Sequence, residues 1–178
     1  MQSLRFFVTG LPRSRTAWLA KFFTTGDIYC MHEGLNLYPD MTSLGNAMSG
    51  DKRLYGNSDS ALCLTDFQEV FKAPTLIIER DRGEVLASLD NVFGTKDNLS
   101  TRMIVIHLID LMISKLRDLD GLRIPFNEID TRLEEIWQHC IGDGYDPVRG
   151  NAMSMLNIQT DEIWGNPESA RKVLSCLG

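Results

Sequence analysis

Short apolar runs alternate with amphipathic stretches along this chain. Residues 4–9, L-R-F-F-V-T, form a β-rich run closed by Gly10 and Pro12, the pattern of a buried strand. Over residues 16–23, Trp18, Leu19, Phe22 and Phe23 recur at helical spacing, with Gly26 beyond them as a stop. Residues 28–31 predict a second strand. Residues 34–60 are rich in Gly, Asn, Ser and Asp and predict mostly loop, with room for one helix; 65–72 predict a short helix. After Pro74, T-L-I-I at 75–78 is the clearest strand after the first. Asp81, with Glu84 three residues later, has the form of a capping box. Val85, Leu86, Leu89, Val92 and Phe93 then fill one helical face. Residues 98–119 predict a long, largely apolar helix, buried apart from a polar stripe of His107, Asp110, Ser114 and Arg117. A last strand is predicted at 122–126, and helices at 131–140, 146–156 and 167–177.

Alternating strands and helices without an internal repeat predict an α/β layered fold with a mostly parallel sheet. With 178 residues and no linker, one domain over 1–178 is expected. Hydrophobic residues make up 43% and charged residues 24%, which excludes a disordered chain or a fibrous repeat. No apolar stretch is long enough for a membrane span and none reads as a signal peptide. Cys30, Cys63, Cys140 and Cys176 are scattered without a C-x-x-C pair. They read as reduced, partly buried side chains of a cytoplasmic protein, not as a zinc site.

The formal charge of −6 argues against a nucleic-acid coat, and its distribution points elsewhere. Residues 1–26 contain Arg5, Arg13, Arg15 and Lys21 and no acidic residue. In the middle of that basic segment, G-L-P-R-S-R-T-A-W at 10–18 joins the first strand to the first helix. A tight turn from strand to helix aims several backbone N–H groups at one spot, where the helix dipole adds positive charge. Arg13, Arg15 and the hydroxyls of Ser14 and Thr16 add side-chain donors. A phosphate is the natural occupant. The Walker A pattern is not met: Arg15 stands at its second Gly and Thr16 at its Lys.

The same residues resemble the 5′-phosphosulfate loop of sulfotransferases, whose common form is P-[KR]-S-G-T-T-W. Pro12, Arg13, Ser14, Thr16 and Trp18 match; Arg15 replaces the Gly and Ala17 the second Thr. A second segment, I-I-E-R-D-R-G-E-V-L-A-S-L at 77–89, resembles the family's 3′-phosphate motif, R-[ND]-P-x-D-V-x-x-S. Arg80 and Ser88 have its spacing, Asp81 its second position, and Arg82 replaces the Pro. Arg80 ends a predicted strand and Ser88 lies two turns into the next helix, so the pair can bracket a second phosphate. C-M-H-E-G at 30–34 and I-P-F-N-E-I-D-T-R-L-E-E-I at 124–136 are similar more loosely to segments of bacterial members. The late R-K-G-x-x-G segment of many sulfotransferases has no counterpart beyond Arg171 and Lys172.

The resemblance implies a three-layer P-loop NTPase-like α/β fold with a mostly parallel central sheet. It implies 3′-phosphoadenosine 5′-phosphosulfate as donor, a small-molecule or carbohydrate acceptor bearing a hydroxyl or amine, and no metal. Pro12, Arg13, Ser14, Arg15, Thr16, Ala17, Arg80 and Ser88 then bind the donor. Arg13 offsets charge on the leaving oxygen as an electrostatic group, since an Arg does not give up its proton. The general base is His32 or Glu33, which stand near the end of the second strand. An imidazole titrates near neutral pH, whereas a carboxylate needs desolvation to become a comparable base. Two other readings stay open: a P-loop small-molecule kinase using Mg-ATP, with Asp59 or Asp66 as metal carboxylate though neither follows a clear strand, and a non-catalytic nucleotide-binding protein.

Overall fold

The computed structural model of the chain describes residues 5–38, 40–50, 53–94 and 97–156. The expected helix at 167–177, Cys176 and the Arg171–Lys172 pair lie outside these residues. Five strands form one parallel sheet: β1 (Arg5–Gly10), β2 (Ile28–His32), β3 (Leu54–Ser58), β4 (Thr75–Glu79) and β5 (Leu122–Pro125). Their spatial order is β2-β3-β1-β4-β5. The helices are α1 (Thr16–Phe23), α2 (Met41–Gly50), α3 (Phe67–Phe71), α4 (Arg82–Phe93), α5 (Leu99–Asp118), α6 (Leu133–Cys140) and α7 (Pro147–Ser154). This is the expected three-layer α/β architecture.

Period-two alternation on β1 divides the core. Phe6 and Val8 face one side, where Trp18, Phe22 and Phe23 of α1 pack with Ile136 and Trp137 of α6 and Met153 of α7. Phe7 faces the other, against Met41, Leu44 and Met48 of α2 and Phe67 of α3. Val85 and Leu89 of α4 and Ile109, Met112 and Leu116 of α5 cover Ile77 on that second side. β1 and β4 are therefore buried on both faces over most of their length, which is why these two strands read as nearly unbroken apolar runs.

The helix starts follow local chemistry. Asp81 accepts from the N–H of Glu84 at 3.0 Å, so α4 begins on the capping residue its sequence predicts. Asn98 caps α5 by accepting from Thr101 N–H, and Asp146 caps α7 by accepting from Val148 N–H. Among the described residues, no helix is long and apolar enough to cross a membrane.

Three expectations change. Residues 34–60 are not mostly loop: they hold α2, β3 and a 3-10 turn over Gly34–Asn36. The long apolar helix α5 buries only Ile109, Met112 and Leu116, leaving Leu99, Met103, Ile104, Leu108 and Leu111 exposed. Cys30, Cys63 and Cys140 are buried rather than partly buried; desolvation pushes the Cys63 thiol up to about 11 and raises the other two as well.

Candidate anion-binding site

The order of the strands decides where the site lies. The chain leaves β1 towards β2 on one side and leaves its neighbour β4 towards β5 on the other. Loops that diverge from adjacent parallel strands open a crevice at the strands' carboxyl ends. The turn after β1 and the segment after β4, which carry the two arginine-containing motifs, are therefore neighbours. Gly10 makes the approach possible: a Cβ there would stand 2.7 Å from the Ile78 carbonyl oxygen.

Residues 11–15 curl into the start of α1 without a side-chain cap. Among the described residues, no acceptor meets the backbone N–H groups of residues 13–18; the first to bond is Leu19 N–H, to the Arg15 carbonyl at 2.9 Å. Arg13 (φ 67°) and Arg15 (φ 60°) both adopt the left-handed conformation. Such residues turn successive N–H groups towards one concavity, a nest for an anion. Each left-handed non-glycine residue costs about 1 kcal/mol or more. Glu33 (φ 53°) adds a third beside the loop, and Lys72 is the only other described non-glycine with positive φ. Among the described residues, the strain is concentrated in and beside this loop.

The side chains converge in part. Arg13 Nε donates to Ser88 Oγ at 3.2 Å. Arg80 Nη1 donates to the Arg13 carbonyl, and its guanidinium carbon lies 4.1 Å from the Phe126 ring centre. The Arg80 side chain is 13% exposed and also contacts Glu84 at 3.5 Å, which leaves further donors of its guanidinium for a ligand. The loop after β1 and the arginine–serine pair thus form one cationic cluster. Ser14 is buried, and among the described residues its Oγ has no hydrogen-bond partner. An orphaned hydroxyl inside a turn of unpaired N–H groups fits an anion and nothing apolar. Thr16 is held from behind, its carbonyl accepting from Ser58 Oγ at 2.8 Å.

His32 closes the other side. Its Nε2 lies 3.4 Å from Thr16 Oγ1 and 3.7 Å from Glu33 Oε1. Glu33 is more exposed, and its Oε2 accepts from Asn36 Nδ2 at 2.9 Å. Of the two candidate bases, His32 is the one turned to the loop, and Glu33 flanks it.

Other predicted site residues sit apart from the cluster. The Arg15 side chain turns to Asp130, with Nη1 2.8 Å from both carboxylate oxygens. Pro12 and Ala17 contribute backbone, and both are half-buried. Trp18, 1% exposed, is a core residue whose Nε1 donates to the Met153 and Leu156 carbonyls. Asp59 does follow a strand, β3, contrary to the sequence expectation. Its Oδ1 and Oδ2 accept from the N–H groups of Ala61 and Leu35, so it caps two turns where the kinase reading needs a metal carboxylate.

Ser58, Phe126 and Asp130 are the contributors that sequence reasoning missed. Nothing local marks Ser58. Phe126 and Asp130 fall in the I-P-F-N-E-I-D segment, whose resemblance was visible but whose place against the loop was not.

No protein-family model matches this chain, and no curated protein matches it by sequence. Among solved structures it is similar to mouse sulfotransferase SULT7A1 complexed with PAP, with a TM-score of 0.56 and 13% identity over 99% of this chain and 84% of that one. The likeness is one of fold: a five-stranded parallel sheet with flanking helices, of the sulfotransferase P-loop NTPase-like kind.

Proposed function

We propose that this chain is a sulfotransferase-like enzyme that moves a sulfuryl group from 3′-phosphoadenosine 5′-phosphosulfate to a hydroxyl or amine acceptor. The observation that carries the reading is the contact of Arg13 with Ser88 and of Arg80 with the Arg13 carbonyl. It joins the motif resembling a 5′-phosphosulfate loop to the motif resembling a 3′-phosphate clamp. The neighbour of like fold is a sulfotransferase complexed with PAP, which agrees with that assignment.

The residues divide the work. The N–H groups of residues 13–18, with the Ser14 and Thr16 hydroxyls, hold the phosphosulfate end. Arg13 stays charged throughout and stabilises the negative charge that builds on the departing phosphate oxygen. Arg80 and Ser88 hold the 3′-phosphate, which fixes the donor in line with the acceptor. His32, beside Thr16 and flanked by Glu33, takes the acceptor's proton as the new sulfur–oxygen or sulfur–nitrogen bond forms. The bound donor supplies the sulfuryl group itself. Asp59, committed to two backbone N–H groups, is unsuited to the metal role that a Mg-ATP kinase would require.

Incubation with donor carrying radiolabelled sulfur and a panel of phenols, alcohols, amines and simple sugars tests the reading. Label appearing in an acceptor, with matching release of 3′-phosphoadenosine 5′-phosphate and loss of both in Arg13→Ala, is expected. Transfer of phosphate from Mg-ATP to the same panel, with no sulfuryl transfer, would replace it by the kinase reading.

A further inference from the structure

We infer that Arg15 and Asp130 form a positioning latch that holds the anion loop in its binding shape. The inference rests on reading that loop as the donor site. Residue 15 stands in the left-handed conformation at the start of α1, which glycine adopts at no steric cost and arginine does not. Something outside the loop must therefore favour it.

The side chain shows what does. Arg15 Nη1 reaches both oxygens of Asp130 at 2.8 Å across 115 positions of sequence. Its guanidinium carbon lies 5.5 Å from the ring centres of both Trp18 and Phe126. Asp130 and Phe126 belong to the 3-10 turn Phe126–Thr131 that follows β5. The same Phe126 ring lies under Arg80, which donates to the Arg13 carbonyl. The two left-handed residues are thus fastened separately, residue 13 through Arg80 and residue 15 through Asp130, onto one shared aromatic ring. Isolated surface ion pairs contribute little. This one is 25% and 38% exposed, has both carboxylate oxygens engaged and is set beside two rings, so its geometry is restricted. Arg15 then serves the anion through backbone placement, while its charge is spent on Asp130.

A double-mutant cycle separates this from a direct role for either residue. The affinity for 3′-phosphoadenosine 5′-phosphate is measured in the wild type, Asp130→Asn, Arg15→Gly and the double variant, with hydrogen exchange of residues 13–19 followed without nucleotide. The latch predicts that Asp130→Asn weakens binding about tenfold, the scale of one charge-assisted hydrogen bond, and speeds exchange of the loop. In the Arg15→Gly background, where residue 15 needs no latch, adding Asp130→Asn changes neither readout. Equal losses from Asp130→Asn in both backgrounds would overturn the latch. So would tighter binding by Asp130→Asn, which would mean that a released Arg15 contacts phosphate itself. If the wild type binds no bisphosphate yet exchange shows the coupling, the donor assignment fails and the latch stands. If the wild type binds and Asp130→Asn matches it in affinity and exchange, the latch alone fails.

Discussion

Arg13 Nε donates to Ser88 Oγ at 3.2 Å although 75 positions of sequence separate them. Sheet order brings them together, since β1 and β4 are hydrogen-bonded neighbours whose outgoing chains diverge. Arg80 completes the link by donating to the Arg13 carbonyl. Arg13→Ala and Arg80→Ala should each weaken binding of 3′-phosphoadenosine 5′-phosphate by about 1.5–3 kcal/mol, the range for a hydrogen bond to a charged group. Isothermal titration measures it. Wild-type affinity in both variants would remove the cluster from the binding site.

His32 is the base in the proposed reaction because its Nε2 faces the loop at Thr16 while Glu33 turns to Asn36. His32→Gln should leave bisphosphate affinity within about twofold, since no phosphate contact is assigned to the ring, yet lower the transfer rate by about 10²–10⁴. Once an acceptor is in hand, single-turnover transfer compares the variants. A His32→Gln enzyme with the wild-type rate, beside a Glu33→Gln enzyme that has lost it, would exchange their roles.

The site depends on a close fit between neighbouring strands. A Cβ at Gly56 of β3 would collide with the Phe6 ring on β1, and Phe6 is completely buried. Gly56→Ala should destabilise the fold by about 1–3 kcal/mol, as overpacking does, and lower the urea midpoint at unchanged m-value. Unchanged stability would show that the β1–β3 packing is looser than described.

That glycine also explains what the sequence conceals. The first strand and helix are legible because L-R-F-F-V-T and the spacing of Trp18, Phe22 and Phe23 obey local rules, and α1 spans Thr16–Phe23 as its pattern predicts. β3, with the sequence L-Y-G-N-S, breaks those rules: Gly56 is there to admit Phe6, and Asn57 is there to accept from Gly34 N–H at 3.1 Å. Both needs arise from distant residues, and both residues read locally as turn formers. The site follows the same division. Motif spacing singles out Arg13, Arg80 and Ser88, which the fold brings into contact, but the turning of Arg15 to Asp130 depends on how β5 lies beside β4. The exposed apolar side of α5 was misread because an apolar pattern records residue types, not which face is covered.

Acid should loosen one link between α4 and α5. Arg82 Nε and Nη2 donate to the Asp110 carboxylate at 2.6 and 3.0 Å, and those hydrogen bonds hold its carboxyl below the ordinary value of 3.8. A carboxyl with a lower pKa in the folded state contributes stability above its unfolded pKa and loses it as pH falls through the folded one. Wild type should therefore be slightly more stable than Asp110→Asn at pH 7, and the gap should close below pH 3.8. Urea titrations across that range measure it; a gap that persists in acid would contradict the ion-pair origin.

Whether the two motifs grip the two ends of one bisphosphate is decided by titration with 3′-phosphoadenosine 5′-phosphate in the presence of a chelator, beside ADP and Mg-ATP. Tight, metal-independent binding of the bisphosphate is expected, with ADP weaker by about 1.5–3 kcal/mol, because ADP brings nothing for Arg80 and Ser88 to hold. Equal binding of the bisphosphate and ADP, or a preference for Mg-ATP, would contradict it.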